Sequence, residues 1–256
     1  MSGSNSRRSG TRCVAKSTAG APPGRFLLTG SATPAHASGT HSGAGRILSL
    51  RMRPMALHER GVVAPHVSIA ALLAGTAGQI DGRASFTLAD YAAALVDSGF
   101  PGIMGTPPRL RRGLLDAYMR RVIDRDLPEL GFEVRRPETL RRWLTAYAAA
   151  SSTTTAYSRL VDAATGGDGH QPARTTTIVY RDYLTQLWLL DPVPGWITAN
   201  NPIRRLQQAP KHQLADPALA ARLLGVSAST LLGPTGAHLA GPLLESLVTL
   251  TVRVCA

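Results

Sequence analysis

The sequence predicts a mainly α fold with minor β, the α+β class, on three observations. Leu110, Leu114, Leu115, Tyr118, Val122 and Ile123 recur at helical spacing, which predicts an amphipathic helix from about Pro108 to Asp126. Asp216-Pro217 supplies a cap and a first-turn proline, Leu219, Leu223 and Leu224 form one face, and Gly225 is a stop. Only short apolar runs suit strands: Phe26–Leu28, closed by Thr29-Gly30-Ser31, and the alternating Arg46–Met52.

The remaining elements follow in order. Residues 1–24, rich in Ser, Gly and Arg, read as a tail with no apolar signal-peptide core. Pro54–Arg60 suits a helix start, and Val62–Arg83 is Gly/Ala-rich with little periodicity. Thr87 caps a helix over Leu88–Ser98, ended by Gly99-Phe100-Pro101-Gly102. Pro137 opens another, with Leu140, Trp143, Leu144 and Tyr147 on one face. Tyr157–Ala164 is short and is followed by a Gly-rich loop, Thr165–Pro172. Thr175–Leu190 is long and periodic and stops at Asp191-Pro192. Val193–Thr198 and His212–Ala215 suit strands, and a final helix runs over about Gly241–Val252.

Composition excludes several classes. The chain has 256 residues, 44% hydrophobic and 17% charged, which fits a packed core. Its best apolar stretch, Val67–Ala77, is too short for a membrane span and contains Gly75. With two cysteines, Cys13 and Cys255, there is no disulfide framework and no Cys-based zinc site. The cytoplasm is therefore the default location. The seven histidines are scattered, lack the zinc-helix spacing and read as loop or surface residues. The formal net charge is +12, which attracts phosphates at low salt. A P-loop needs lysine after its second glycine. Lys211 precedes His212, and Lys16, in Gly10-Thr11-Arg12-Cys13-Val14-Ala15-Lys16-Ser17, has Ala15 in the glycine's place. Neither a strand before nor a helix after supports it.

Several segments together resemble one family. Gly24-Arg25-Phe26-Leu27-Leu28-Thr29-Gly30-Ser31-Ala32 is similar to the sensor-1 strand of bacterial AAA-type ATPases that carry a C-terminal domain of unknown function. Gly45-Arg46 with Leu50 and Arg53-Pro54-Met55 through Glu59 resembles the family's next strand and turn. Gly99-Phe100-Pro101 resembles its Gly-Gly-Phe-Pro signature, and Tyr118 with Arg125-Asp126 and Gly131 its Tyr…Arg-Asp stretch. Tyr183–Asp191 resembles its winged-helix segment. Ala209-Pro210-Lys211 with Asp216 and Leu219-Ala220 resembles the start of its C-terminal part, and Leu244-Glu245 the opening of its nuclease-like core.

The resemblance implies five regions: a tail at 1–24, a remnant of the P-loop ATPase α/β core at 25–84, a helical lid at 85–135, a winged-helix-like region at 136–208, and the start of a truncated C-terminal domain at 209–256. The family's P-loop and Walker B acid would precede Phe26. The resemblance therefore implies an AAA-family fragment without ATPase activity of its own. Its partner would be the ATPase half encoded upstream. The intact family uses ATP and Mg²⁺, whereas this chain carries no cofactor, no catalytic residue and no metal site. Thr29 and Arg46 would be nucleotide-sensing positions, and Arg125 and Asp126 an interface pair or phosphate contact. The alternative is a basic winged-helix DNA-binding module, in which Arg174 and Arg181 meet the DNA. No membrane is implied.

Overall fold

Most of the expected helices form where the capping chemistry places them. In the computed structural model the described residues are 27, 29–30, 47–81, 84–165, 174–196 and 209–255. The chain divides into two units, Met1–Met52 and Arg53–Ala256.

In the first unit, Leu27, Thr29-Gly30 and 47–52 have no regular secondary structure. The strands expected at Phe26–Leu28 and Arg46–Met52 are therefore not seen among the described residues, and Phe26, Leu28 and Arg46 lie outside them. Leu48 and Leu50 are over four-fifths exposed, so the alternation that suggested a strand has no face to bury. No remnant of an ATPase sheet appears among the described residues.

The second unit is helical. Helix α1 spans Ile69–Leu73, capped by Ser68, and buries none of its residues. Helix α2 spans Leu88–Val96 and opens with a reciprocal box between Thr87 and Asp90. Helix α3 spans Pro108–Arg121, continues through one π turn at Val122–Asp126 and closes with Leu127–Glu129. The π turn brings Leu127 under Val122, so Val122, Ile123 and Leu127 all point inward while Asp126 stays at the edge.

Helix α4 spans Pro137–Ala149, α5 Tyr157–Thr165 and α6 Arg174–Gln186. Helix α6 ends before the sequence expected, because the chain turns at Trp188 and pairs. Helix α7 spans Pro217–Leu223, capped by Asp216 and ended at Gly225, whose φ of +68° suits glycine. Helices α8, Ala228–Leu232, and α9, Ala237–Cys255, complete the unit. No spacing predicted α1 or α8, each of which is five residues long.

Where strands were expected at Val193–Thr198 and His212–Ala215, the described residues make isolated antiparallel bridges instead, Leu190 with Leu214 and Val193 with Lys211, and Ile197 and Thr198 lie outside them. Their register is regular. The Ala215 N–H donates to the Leu189 carbonyl, that of Asp191 to Gln213, and Val193 and Lys211 exchange both bonds at 2.9 Å. The opposite edge of the 211–215 segment is held by the 152–153 turn: the Ser152 N–H donates to the His212 carbonyl and the His212 N–H to that of Thr153.

The core follows from this pairing. Every residue from His212 to Ala221 is buried, so the chain threads the interior and emerges as α7. Helix α7 packs on α2, α3, α4 and α9. Its alanines let those helices approach closely, while Leu219 fills the centre. An antiparallel clasp adds to this: Arg53 and Arg253 both pair with Asp191, the former at 2.9 Å, and Arg253 also donates to the Asp191 and Pro192 carbonyls.

Candidate functional site

Three of the buried polar side chains, His212, Gln213 and Asp216, lie on the 212–216 segment. Asp216 is fully buried. One carboxylate oxygen accepts from the Ser98 hydroxyl at 2.7 Å and the Gly99 N–H at 2.8 Å, and the other from the Ala218 N–H at 2.9 Å. Burial pushes the Asp216 pKa up, against the pull of those donors and of the nearby Arg60. Arg60 in turn donates to the carbonyls of Met55 and Asp97, both at 2.8 Å, closing the end of α2.

Gly99 must be glycine here. A Cβ would lie 2.6 Å from the Met55 carbonyl oxygen, whose residue donates its N–H to the Gly99 carbonyl. This close backbone contact explains in physical terms why a glycine stands in the Gly-Phe-Pro segment. The cap role of Asp216 was legible from Asp216-Pro217. Its reach to Ser98, 118 residues away, was not.

His212 corrects the surface reading of the histidines, because it is fully buried. Its ring sits 4.8 Å from that of Tyr147 and 4.9 Å from that of Tyr157. Nε2 lies 2.7 Å from the Thr155 carbonyl oxygen, so Nε2 carries the hydrogen and Nδ1 is bare. Nδ1 has no partner, and neither have Trp143 Nε1 and Gln213 Oε1. The Gln213 backbone N–H faces the Tyr147 hydroxyl without reaching hydrogen-bond geometry, and burial pushes that phenol well above its usual range.

Burial also lowers the His212 pKa below its ordinary 6.5. The sign of the consequence is definite. A depressed folded pKa contributes stability that is complete above the unfolded value and lost as pH falls through it. The melting temperature is expected to drop between about pH 7 and pH 5. The drop should be clearly smaller in His212→Gln, measured by thermal denaturation across that range.

The residues singled out from the sequence do not converge. Thr29 is exposed in the first unit, and Arg46 lies outside the described residues. Arg125 pairs with Glu129 at 2.9 Å one turn on, which raises its pKa, and Asp126 stands 3.8 Å from Arg121. Both are surface pairs of small energetic weight. Arg174 opens α6, and nothing of its side chain is described. Arg181 lies over the Tyr157 ring at 5.2 Å and pairs with Asp182 at 3.0 Å. Lys211 and Glu245, which the resemblance had set in separate roles, pair with each other at 2.6 Å.

An open groove of 630 Å³ runs between α4 and α5. Its floor is Ala146, Ala149, Ala163 and Ala164, with Arg141 and Arg142 at the rim. Arg141 is bonded to Glu138 at 2.9 Å. No pair of groups suited to acid–base work meets there. Among the described residues no group of three His, Cys, Asp or Glu side chains is placed to hold a metal ion. None of their helices is long and apolar enough to cross a membrane.

The fold and the buried network define a mainly helical domain built around one interior polar segment. The chain belongs to the family described as Domain of unknown function (DUF8612), whose family model matches residues 88–230. That span contains both ends of the Asp216–Ser98 link. Neither a curated protein nor a solved structure matches the chain.

Proposed function

We propose that this chain is the helical-lid and winged-helix portion of an AAA-type ATPase and does not hydrolyse ATP by itself. One observation supports the reading most. Three helices, α4, α5 and α6, are followed by an antiparallel pairing of 189–193 with 211–215, which is the helix–helix–helix–wing order.

The described residues do not fit a nucleotide. Thr29 is exposed, and no loop of backbone N–H groups with a lysine cradles a phosphate among them. In this reading ATP and Mg²⁺ belong to the ATPase core, which is the partner, and the cytoplasm is the compartment. The DNA-binding alternative through Arg174 and Arg181 has less support. Arg181 is spent on Tyr157 and Asp182, and over residues 176–186, the part of α6 whose side chains are described, the exposed positions are Ile178, Asp182 and Gln186.

Phosphate release by the purified chain tests the proposal. No Mg²⁺-dependent hydrolysis of ATP above the buffer rate is expected. Turnover that requires Mg²⁺ and co-purifies with the chain through two unlike columns would contradict it.

A further inference from the structure

Several of the described arginines hold the fold together. Arg53 and Arg253 hold Asp191, Arg60 closes α2, Arg111 pairs with Asp97 at 3.0 Å, and Arg181 covers Tyr157. Arg109, Arg112 and Arg120 on α3 are exposed and make no ion pair among the described residues, and unlike the exposed Arg135, Arg136 and Arg159 they share one helix. Leu115, Val122 and Ile123 set the inward direction of α3. At about 100° per residue, Arg112, Arg109 and Arg120 then fall within about 80° of one another, along one flank of α3 beside the inward direction. The one acid of that face, Asp116, is neutralised by a two-pronged bond to Arg222, both contacts at 2.7 Å. Gly113 and Ala117, both exposed, adjoin that flank on its outward side.

We propose that the arginine-bearing flank of α3 binds the phosphate backbone of duplex DNA. Arg109 and Arg120 stand about 16 Å apart along the axis, so they reach phosphates well separated along a strand. The small side chains of Gly113 and Ala117 beside them let the backbone approach the helix. Guanidinium groups match phosphate oxygens in charge and geometry. The contact is to the backbone, so binding carries no sequence preference from this face. A membrane surface is the less favoured partner, since the apolar side of α3 is turned into the core and cannot insert. The proposal is independent of the ATPase reading, because it needs neither a nucleotide nor α6.

Fluorescence anisotropy with a labelled duplex of mixed sequence tests it on the full chain. Three phosphate contacts predict an affinity loss of about 40-fold between roughly 50 and 200 mM salt. The triple variant Arg109→Glu, Arg112→Glu, Arg120→Glu is expected to lose this binding while keeping the wild-type melting temperature. A charge-matched variant, Arg135→Glu, Arg136→Glu, Arg159→Glu, alters exposed arginines elsewhere and is expected to retain most of it. Three results would overturn the proposal. They are no wild-type binding at low salt, equal losses in the two triple variants, or tighter binding to vesicles of anionic lipid than to the duplex.

Discussion

Replacing Asp216 by alanine is expected to destabilise the Arg53–Ala256 unit by about 3–5 kcal/mol, the scale for losing one partner of a buried charged network. The reason is local and countable. The carboxylate satisfies the Ser98 hydroxyl and the N–H groups of Gly99 and Ala218, and it faces the guanidinium of Arg60. Alanine leaves those donors buried without acceptors, each a cost of about 1–3 kcal/mol. Asp216→Asn keeps one acceptor oxygen and should lose less. Urea unfolding followed by circular dichroism reads the difference as a shift in midpoint with little change in slope. A loss below about 1 kcal/mol in the alanine variant would show that the network does not hold α2 to α7.

The second large effect is expected at Trp143. Its side chain is fully buried on α4, stacked on Tyr147 with ring centroids 5.4 Å apart and edge-on to Tyr180 at 6.2 Å. Trp143→Ala removes the largest side chain of the interior and opens a cavity that the neighbouring rings cannot fill. A loss of about 3–5 kcal/mol follows from comparable truncations. Trp143→Phe keeps most of the volume and gives up an N–H that has no acceptor. That variant should cost much less, and the contrast between the two separates packing from polar effects. Equal losses in the two variants would place the importance of Trp143 in its N–H.

Helices carried by strong local signals were legible in the sequence. The Thr87 cap, the prolines at 108, 137 and 217, and the stop at Gly225 all mark real boundaries within a residue or two. What failed was anything decided at long range. Leu48 and Leu50 alternate like a strand, but a strand needs a neighbour, and both side chains are exposed. His212 looked like a loop residue because its own neighbours are polar. It is buried because Thr153 and Leu189–Val193 flank its segment on both sides. Asp216 announced its cap through Pro217, yet its main bonds run to Ser98 and Gly99, which no spacing rule connects to it. The π turn in α3 is likewise a tertiary effect, since it reconciles Val122 with Leu127 against one core.

The proposed function depends on the antiparallel pairing that follows α6, and nuclear magnetic resonance of the labelled chain tests that pairing most directly. Val193 and Lys211 exchange both backbone bonds at 2.9 Å, so their amide protons are close. A cross-peak between those two amides, with slow hydrogen exchange at Asp191 and Ala215, is the predicted result. Fast exchange at all four positions, with no contact between 189–193 and 211–215, would contradict the winged-helix order and the reading built on it.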